Sequence, residues 1–210
     1  MENDMQKIGS KTYSSRLLSM EQKHSPKNET TRKMMLRVKS GDPDNVEAQA
    51  AKKYWAALFP ELDFHRNPNG DDPLNTRLNY GYTVLRSMTA RAVCASGFHP
   101  ALGIHHCSQR NAFCLADDLM EPFRPLVDWT VRHQFQLSRK LASQKLTRNL
   151  TAQVKQQLIV PLTGRFKADG ESRKLFDIIA MLAQSLTRFY AKETEMLYLP
   201  LLEQETSEAE

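Results

Sequence analysis

Apolar residues in the C-terminal part of this chain recur at the three- and four-residue spacing of an amphipathic helix. Between residues 175 and 189 they are Leu175, Ile178, Ile179, Leu182, Leu186 and Phe189. A second stripe comprises Leu78, Tyr82, Leu85, Ala92 and Val93. Side chains at this spacing share one helix face and are buried together. The sequence contains no alternating β-branched run of strand length and no glycine-rich phosphate loop. It therefore predicts an all-α fold with several helices.

Helix boundaries follow from turn residues. SGDPDN (40–45) predicts a helix start that continues to about Phe59, and Asp72 before Pro73 predicts the next start after a loop over 60–73. Further helices are expected over about 112–143, with a bend, and over 150–158, whereas TGRFKADG (163–170) is expected to be a loop. The chain divides into a basic, weakly structured or short-helical segment (1–39), a helical domain (40–202) and a frayed acidic tail (203–210).

Bulk composition is that of one soluble domain. The chain has 210 residues, of which 40% are hydrophobic and 25% charged. No apolar run approaches the roughly 18 residues of a membrane span, and the N-terminus lacks the apolar core of a signal peptide. Three cysteines are an odd number without zinc-finger spacing, which favours free thiols in a reducing compartment. We therefore expect a cytoplasmic protein that does not associate with a membrane.

Positive charge is concentrated in one part of the chain. Residues 131–175 contain ten Lys or Arg and only two acids, a net +8, although the whole chain carries +5. Such a block attracts polyanions, of which nucleic acid is the most common. The alternative is a set of solvated helix faces, and charge alone does not choose between them.

A cluster of acids lies beside two prolines in ADDLMEPFRP. Asp117 and Asp118 precede Glu121 by four and three residues, so either can share a helix face with it. Pro122 and Pro125 lack the N–H that would continue the helix, which predicts a kink or a restart beside these acids. Clustered carboxylates near histidine indicate a metal site. A solvated acidic turn, with Glu121 paired to Arg124, is the alternative.

Further candidate ligands lie elsewhere in the chain. His105 and His106 belong to an irregular stretch (98–111), where adjacent side chains point in different directions, so one metal is not expected to bind both. A zinc site made of these histidines with Cys107 and Cys114 is possible, but its spacing matches no structural zinc module. Glu47 could supply another carboxylate, or it could close a capping box with Asp44.

Several motifs in order resemble one known family. EAQAAKKYW, LNYGYTVLR, GIHH and LADDLMEPFRPLVD resemble the helical catalytic domain of the CRISPR-associated spacer-acquisition integrase, the catalytic subunit of the adaptation complex. SLTRFY and LYLPLL resemble the C-terminal helices of that family, and the resemblance extends from about Gly41 to Leu202. It therefore implies that 40–202 is a metal-dependent catalytic domain.

The resemblance also implies a site and a reaction. Glu47, His106 and Glu121 match the family's metal ligands, and Asp118 matches an acid that supports the site. Mg²⁺ or Mn²⁺ suits two carboxylates and an imidazole. The implied reaction is attack of a DNA 3′-hydroxyl on a phosphodiester of the repeat array, which inserts a new spacer by transesterification. The family is accordingly a DNA endonuclease and integrase.

Partners and DNA contacts follow from the same resemblance. It implies binding of double-stranded DNA, both as spacer precursor and as repeat array, a small companion adaptation subunit, and a homodimer or hetero-oligomer. Candidate DNA contacts, listed N- to C-terminally, are Arg77, Asn79, Tyr80, His105 and Arg124. Arg77 could instead be a surface charge, and Tyr80 could be core packing. The family's N-terminal β-rich domain is not expected from residues 1–39, so a non-catalytic DNA-binding or complex-forming remnant is the alternative function.

Overall fold

The computed structural model describes residues 46–104, 108–140, 146–200 and 202–204. Helices dominate this part of the chain, which confirms the predicted helical class. In the described ranges the α-helices are α1 (Val46–Leu58), α2 (Pro73–Ala95), α3 (Cys114–Met120), α4 (Arg124–Lys140), α5 (Ala152–Ile159) and α6 (Leu175–Tyr190). Two 3₁₀ turns, Glu121–Phe123 and Val160–Thr163, follow α3 and α5 respectively.

Helix α2 lies at the centre of the fold and packs against α3, α4, α5 and α6. Its start matches the prediction, because the carboxylate of Asp72 accepts hydrogen bonds from the backbone N–H groups of Leu74 and Asn75, both at 3.0 Å. Leu78, Leu85, Ala92 and Val93 of the predicted stripe are buried, and Tyr82 is half-buried. Helix α2 therefore packs against α3 and α4, the two helices on either side of the Glu121 junction.

The apolar stripe of α6 is likewise buried. Leu175, Ile178, Ile179, Leu182 and Leu186 are at most 1% exposed, and they pack against the face of α2. An aromatic group joins α1 and α4 to the same core. Trp55 of α1 and Phe59, which directly follows α1, both contact Phe64, and Phe59 also contacts Phe135 of α4. Among the described residues no helix is both long and apolar enough to cross a bilayer.

The prediction that 163–170 forms a loop is wrong. Strands β1 (Arg165–Ala168), β2 (Glu171–Lys174) and β3 (Leu202–Gln204) form a small antiparallel sheet in the order β2-β1-β3. Asp169 and Gly170 both have positive φ, 53° and 83°, and Ala168 pairs with Glu171. Two left-handed residues between paired strands make a tight hairpin turn, for which Asp-Gly is a preferred sequence. With three or four residues each, these strands are too short for alternating apolar and polar side chains to identify them in the sequence.

Candidate metal and DNA site

Glu121 lies where the helix breaks. Helix α3 ends at Met120, the 3₁₀ turn Glu121–Phe123 follows, and α4 starts at Arg124. Pro122 and Pro125 cannot donate the backbone hydrogen bonds of a continuous helix, so the predicted interruption beside the acids is confirmed. One carboxylate oxygen of Glu121 lies 3.0 Å from the Arg124 guanidinium, and the Glu121 side chain is 19% exposed. The interruption therefore places the Glu121 carboxylate at the junction of two helices, where it remains partly accessible to solvent.

Asp118 is bonded to the first part of the irregular loop (98–111), before the two histidines. Its Oδ2 accepts a hydrogen bond of 2.6 Å from the backbone N–H of Ile104, two residues before His106. The backbone N–H of Leu115 also donates to the carbonyl of Pro100, at 2.8 Å. Both bonds tie the start of this loop to α3. Asp118 therefore fixes the backbone at Ile104, and its supporting role in a metal site stays a prediction.

Asp117 holds the other end of the same loop. It is 5% exposed, and its two oxygens accept from Arg86 Nε (2.6 Å) and Arg86 Nη2 (2.9 Å). Oδ2 also accepts from the Asn111 amide at 2.8 Å. A buried carboxylate needs such charged and polar donors to offset its desolvation. Sequence reasoning treated Asp117 only as a neighbour of Glu121, because nothing local indicates that Arg86, 31 residues away, would be its partner.

The remaining predicted ligands are only partly described. Glu47 is the second residue of α1, and the structure describes its backbone. His105, His106 and Cys107 lie outside the described residues, as does Asp44 of the alternative capping box. Cys114 is buried, with its Sγ 3.4 Å from the carbonyl of Asn111. Within the described ranges no three His, Cys, Asp or Glu side chains come together as a metal site.

The chemistry of the donor set nevertheless fits a divalent cation. Two carboxylates and one imidazole are ligands that Mg²⁺ and Mn²⁺ accept, with the imidazole favouring Mn²⁺. Glu121 retains partial exposure at the helix junction, and Asp118 fixes the backbone that leads to His106. The arginine beside Glu121 would balance its charge before a cation binds.

A buried carboxylate that the sequence did not single out lies one turn after Arg124. Asp128 is fully buried, and its Oδ2 accepts a hydrogen bond of 2.6 Å from the Tyr54 hydroxyl. Its Oδ1 accepts from the hydroxyl of Tyr82. Three helices, α1, α2 and α4, therefore meet at one carboxylate. The only sequence signal was a lone acid within the apolar run PLVDWTV.

Two guanidinium groups lie at the ring of Tyr82. The guanidinium carbons of Arg66 and Arg124 are 5.3 Å and 5.1 Å from the ring centroid. Arg66 also donates to Asn75 Oδ1 (2.8 Å) and Asn79 Oδ1 (2.6 Å). Burial lowers the pKa of Arg66, and the nearby Asp128 acts in the opposite direction. Arg124 thus contacts both Glu121 and the ring that binds Asp128.

The structure corrects the picture of Arg77. This residue is 3% exposed, and its Nη1 donates to the carbonyls of Pro73 (3.0 Å) and Thr147 (2.7 Å). Burial lowers its pKa. The alternative reading of Arg77 as a surface charge is therefore wrong, and its bonds join α2 to the segment before α5.

Asn79 and Tyr80, which are also predicted DNA contacts, lie nearer the surface than Arg77. Asn79 is half-buried, and its amide nitrogen donates to the carbonyl of Pro68 at 2.9 Å while its oxygen accepts from Arg66. Tyr80 is half-buried against the core, with Lys155 Nζ 5.7 Å from its ring centroid. Packing of Tyr80 and its contact with a cation thus coexist.

Part of the positive block is paired with acids. Glu61 accepts from Arg132 at 2.6 Å and 2.8 Å and lies 3.5 Å from Arg139. Arg148 lies 2.7 Å from Asp71. Glu61 and Asp71 both lie outside residues 131–175, so they reduce the positive charge that this segment presents. Ion pairing thus accounts for Arg132, Arg139 and Arg148 among the ten cations.

Comparison with known proteins gives one consistent result. The family described as CRISPR associated protein Cas1 matches residues 11–155. The chain is 41% identical over 167 residues to the CRISPR-associated endonuclease Cas1 of Neisseria meningitidis serogroup C (strain 8013). That alignment covers 78% of this chain and 51% of the relative, so the chain spans about half the relative's length.

Solved structures share the fold. A casposase bound to integration product superposes with a TM-score of 0.70 at 21% identity, over 93% of this chain and 65% of that one. A chain of a Cas6-RT-Cas1–Cas2 complex gives a TM-score of 0.70 at 20% identity, over 100% of this chain and 25% of that one. At these identities the two structures bear on fold alone.

Proposed function

Because this chain belongs to the Cas1 family, we propose that it contains the catalytic portion of a DNA endonuclease and integrase of CRISPR adaptation. The reaction is the insertion of spacer DNA into the repeat array, by attack of a DNA 3′-hydroxyl on a phosphodiester. One P–O bond forms and another breaks, so no covalent protein–DNA intermediate is required. The observation that carries the proposal is Glu121 at the proline-interrupted junction, one turn from the carboxylate that anchors the histidine loop.

Glu47, His106 and Glu121 would hold Mg²⁺ or Mn²⁺. When bound, the cation supplies Lewis-acid activation of the attacking hydroxyl and stabilises charge developing on the phosphate. The protein's part is orientation. The 3₁₀ turn presents Glu121, and Asp118 binds the backbone N–H of Ile104 and so restrains the approach to His106. The Arg124 side chain is 28% exposed and lies beside Glu121. Once its guanidinium leaves the Glu121 carboxylate, it could contact a phosphate oxygen.

Double-stranded DNA, a small companion subunit and a further copy of the chain are the proposed partners. Two proteins that share this fold support the proposal: one is a casposase bound to integration product, and the other belongs to a Cas6-RT-Cas1–Cas2 complex. Asn79, Tyr80 and His105 remain candidate DNA contacts beside Arg124. Arg77 is a poorer candidate, because its guanidinium is buried and bonded to two carbonyls.

Glu121→Ala tests the proposed site. We expect the variant to lose Mn²⁺-dependent cleavage and strand transfer, by a factor of about 100 or more, because a metal ligand is removed. DNA binding should remain largely intact, since the phosphate contacts come from other residues. The assay follows a labelled DNA duplex with Mn²⁺, in the presence and absence of the companion subunit.

Glu171→Ala is the matched control. Glu171 is also a glutamate paired with an arginine, Arg173, but it lies in β2 rather than at the helix junction. Its loss should leave metal-dependent chemistry unchanged. Activity that survives Glu121→Ala would show that the site is assigned to the wrong carboxylate.

A second function, DNA binding or complex formation without catalysis, is favoured by one specific contact. Arg124 already pairs with Glu121 at 3.0 Å, so this carboxylate can be compensated without a metal. This function predicts salt-sensitive DNA binding with no Mn²⁺-dependent chemistry, even when the companion subunit is added. Both functions would fail if the chain did not bind DNA at low salt.

A further inference from the structure

We propose that Asp128, Tyr54 and Tyr82 form a positioning cluster that aligns the Glu47 helix with the Glu121 junction. The inference rests on the proposed function, since it concerns two of the proposed metal ligands. None of the three residues is a proposed ligand or a DNA contact. Their role is to set the relative position of two helices that each contribute one carboxylate.

The cluster joins segments that are distant in sequence. Tyr54 belongs to α1, Tyr82 to the central helix α2, and Asp128 to α4. The Tyr54 hydroxyl donates to Asp128 Oδ2 at 2.6 Å, and the Tyr82 hydroxyl donates to Oδ1. Each carboxylate oxygen thus receives a hydroxyl from a different helix, so a shift of either helix along α4 breaks a hydrogen bond.

Helical register connects the cluster to the two ligands. Positions 47 and 54 of α1 are seven residues apart, close to two turns, and so share one face of that helix. Asp128 follows Arg124 by four residues on α4, and Arg124 pairs with Glu121. The contact between Tyr54 and Asp128 therefore joins the face of α1 that carries position 47 to the face of α4 that carries the partner of Glu121.

The burial of Asp128 makes its two hydrogen bonds restrict how the helices are aligned. Asp128 is fully buried, so water cannot readily replace a lost hydroxyl donor. Apolar side chains at these positions would also hold the helices together, but apolar contact tolerates sliding. Hydrogen bonds to two defined oxygens do not, because their strength depends on distance and angle. The polar group thus restricts the alignment of α1 as well as contributing to packing.

Tyr82 also connects the cluster to Arg124, the proposed phosphate contact. The Arg124 guanidinium lies 5.1 Å from the Tyr82 ring centroid while it pairs with Glu121. The same ring therefore positions Arg124 through its face and Asp128 through its hydroxyl. A change in Tyr82 should therefore alter the position of Arg124 and, through it, of Glu121. A change in Tyr54 should instead alter the position of α1.

Removal of single hydroxyl groups from the full chain tests the cluster. Tyr54→Phe and Tyr82→Phe each delete one donor and keep the ring, so the fold should be retained. Tyr198→Phe is the matched control, because the Tyr198 hydroxyl also donates to a carboxylate, that of Asp169, at 2.5 Å at the hairpin turn. Mn²⁺ affinity is measured by electron paramagnetic resonance of free Mn²⁺, and amide hydrogen exchange is followed in Val46–Leu58.

We expect Tyr54→Phe and Tyr82→Phe to weaken Mn²⁺ binding by about tenfold, as loss of a group that orients a ligand does. Tyr54→Phe should also speed amide exchange in Val46–Leu58, and Tyr198→Phe should change neither quantity. Equal Mn²⁺ affinity in the Tyr54 and Tyr198 variants, with wild-type binding intact, would overturn the positioning role alone. If the wild type bound no Mn²⁺, or if Glu121→Ala left binding unchanged, the proposed metal site would fail and the positioning role with it.

Discussion

Gly81 of α2 lies directly against Val127 of α4, and replacing the glycine with alanine gives a quantitative prediction. A Cβ at residue 81 would lie 2.5 Å from Cγ1 of Val127 and 3.4 Å from Cγ2. Carbon atoms in contact prefer about 3.5–4.0 Å, so one helix must move by about 1 Å. Val127 is 1% exposed and β-branched, so it cannot easily rotate away. The change would therefore displace α4, the helix that carries Asp128.

The expected cost follows from two opposing effects. Overpacking of a core costs about 1–3 kcal/mol. The change from glycine to alanine within a helix contributes about 1 kcal/mol in the other direction. We therefore expect Gly81→Ala to lower the free energy of unfolding by about 1 kcal/mol, although the same substitution at an open helix position would raise it. Urea unfolding followed by far-UV circular dichroism measures the difference.

A double-mutant cycle with Val127→Ala isolates the contact. Val127→Ala alone should cost about 2 kcal/mol through a cavity. In that background the new Cβ at residue 81 enters the space left by the valine methyls, so Gly81→Ala should become neutral or stabilising. The coupling should be about 1–2 kcal/mol, well beyond the roughly 0.5 kcal/mol of independent sites. Additive effects, or a stabilising Gly81→Ala in the wild-type background, would refute the close approach.

Two further predictions concern pH. Burial, followed by the bond to Asp169, raises the pKa of Tyr198 to about 12. The unfolded chain ionises this tyrosine first, so its stabilising contribution should be full below pH 10 and disappear towards pH 12. Unfolding of Tyr198→Phe across this range should lack that part of the loss, and an unchanged profile would contradict it. The hydrogen bond from Arg132 lowers the pKa of Glu61. Its contribution should be present above the ordinary value of 4.5 and fall below it, so Glu61→Gln should destabilise the protein more at pH 7 than at pH 3. Equal losses at the two pH values, measured by urea unfolding, would argue against this ion pair.

Local sequence determined where α2 begins and where the helix is interrupted at Glu121. Asp72 before Pro73 caps α2 through its own carboxylate, and Pro122 with Pro125 interrupts the helix at Glu121. These features act over three or four residues, so they can be predicted without knowledge of the fold. The hairpin at Asp169–Gly170 is also encoded locally, and its turn dipeptide was the signal that the prediction of a loop overlooked.

The candidate site was predicted only in part, because contacts between residues distant in sequence are not encoded by local features. The motif resemblance selected Glu47, His106, Asp118 and Glu121, of which the structure describes the side chains of Asp118 and Glu121. Its assignment of roles remains a proposal. The hydrogen bond from Ile104 to Asp118 spans 14 residues and depends on how the loop folds back onto α3. No periodicity or cap in the sequence indicates it.

Sequence by itself therefore determined the helical class, the interruption at Glu121 and the family. Tertiary structure decided the environments of the charged side chains. Arg77 is buried and bonded to the carbonyl of Thr147, 70 residues away, and Asp128 binds Tyr54 across 74 residues. Helix signals depend on neighbours within one turn, whereas the burial and pairing of a charge depend on which helices pack together. Only the packed fold brings those partners within hydrogen-bonding distance.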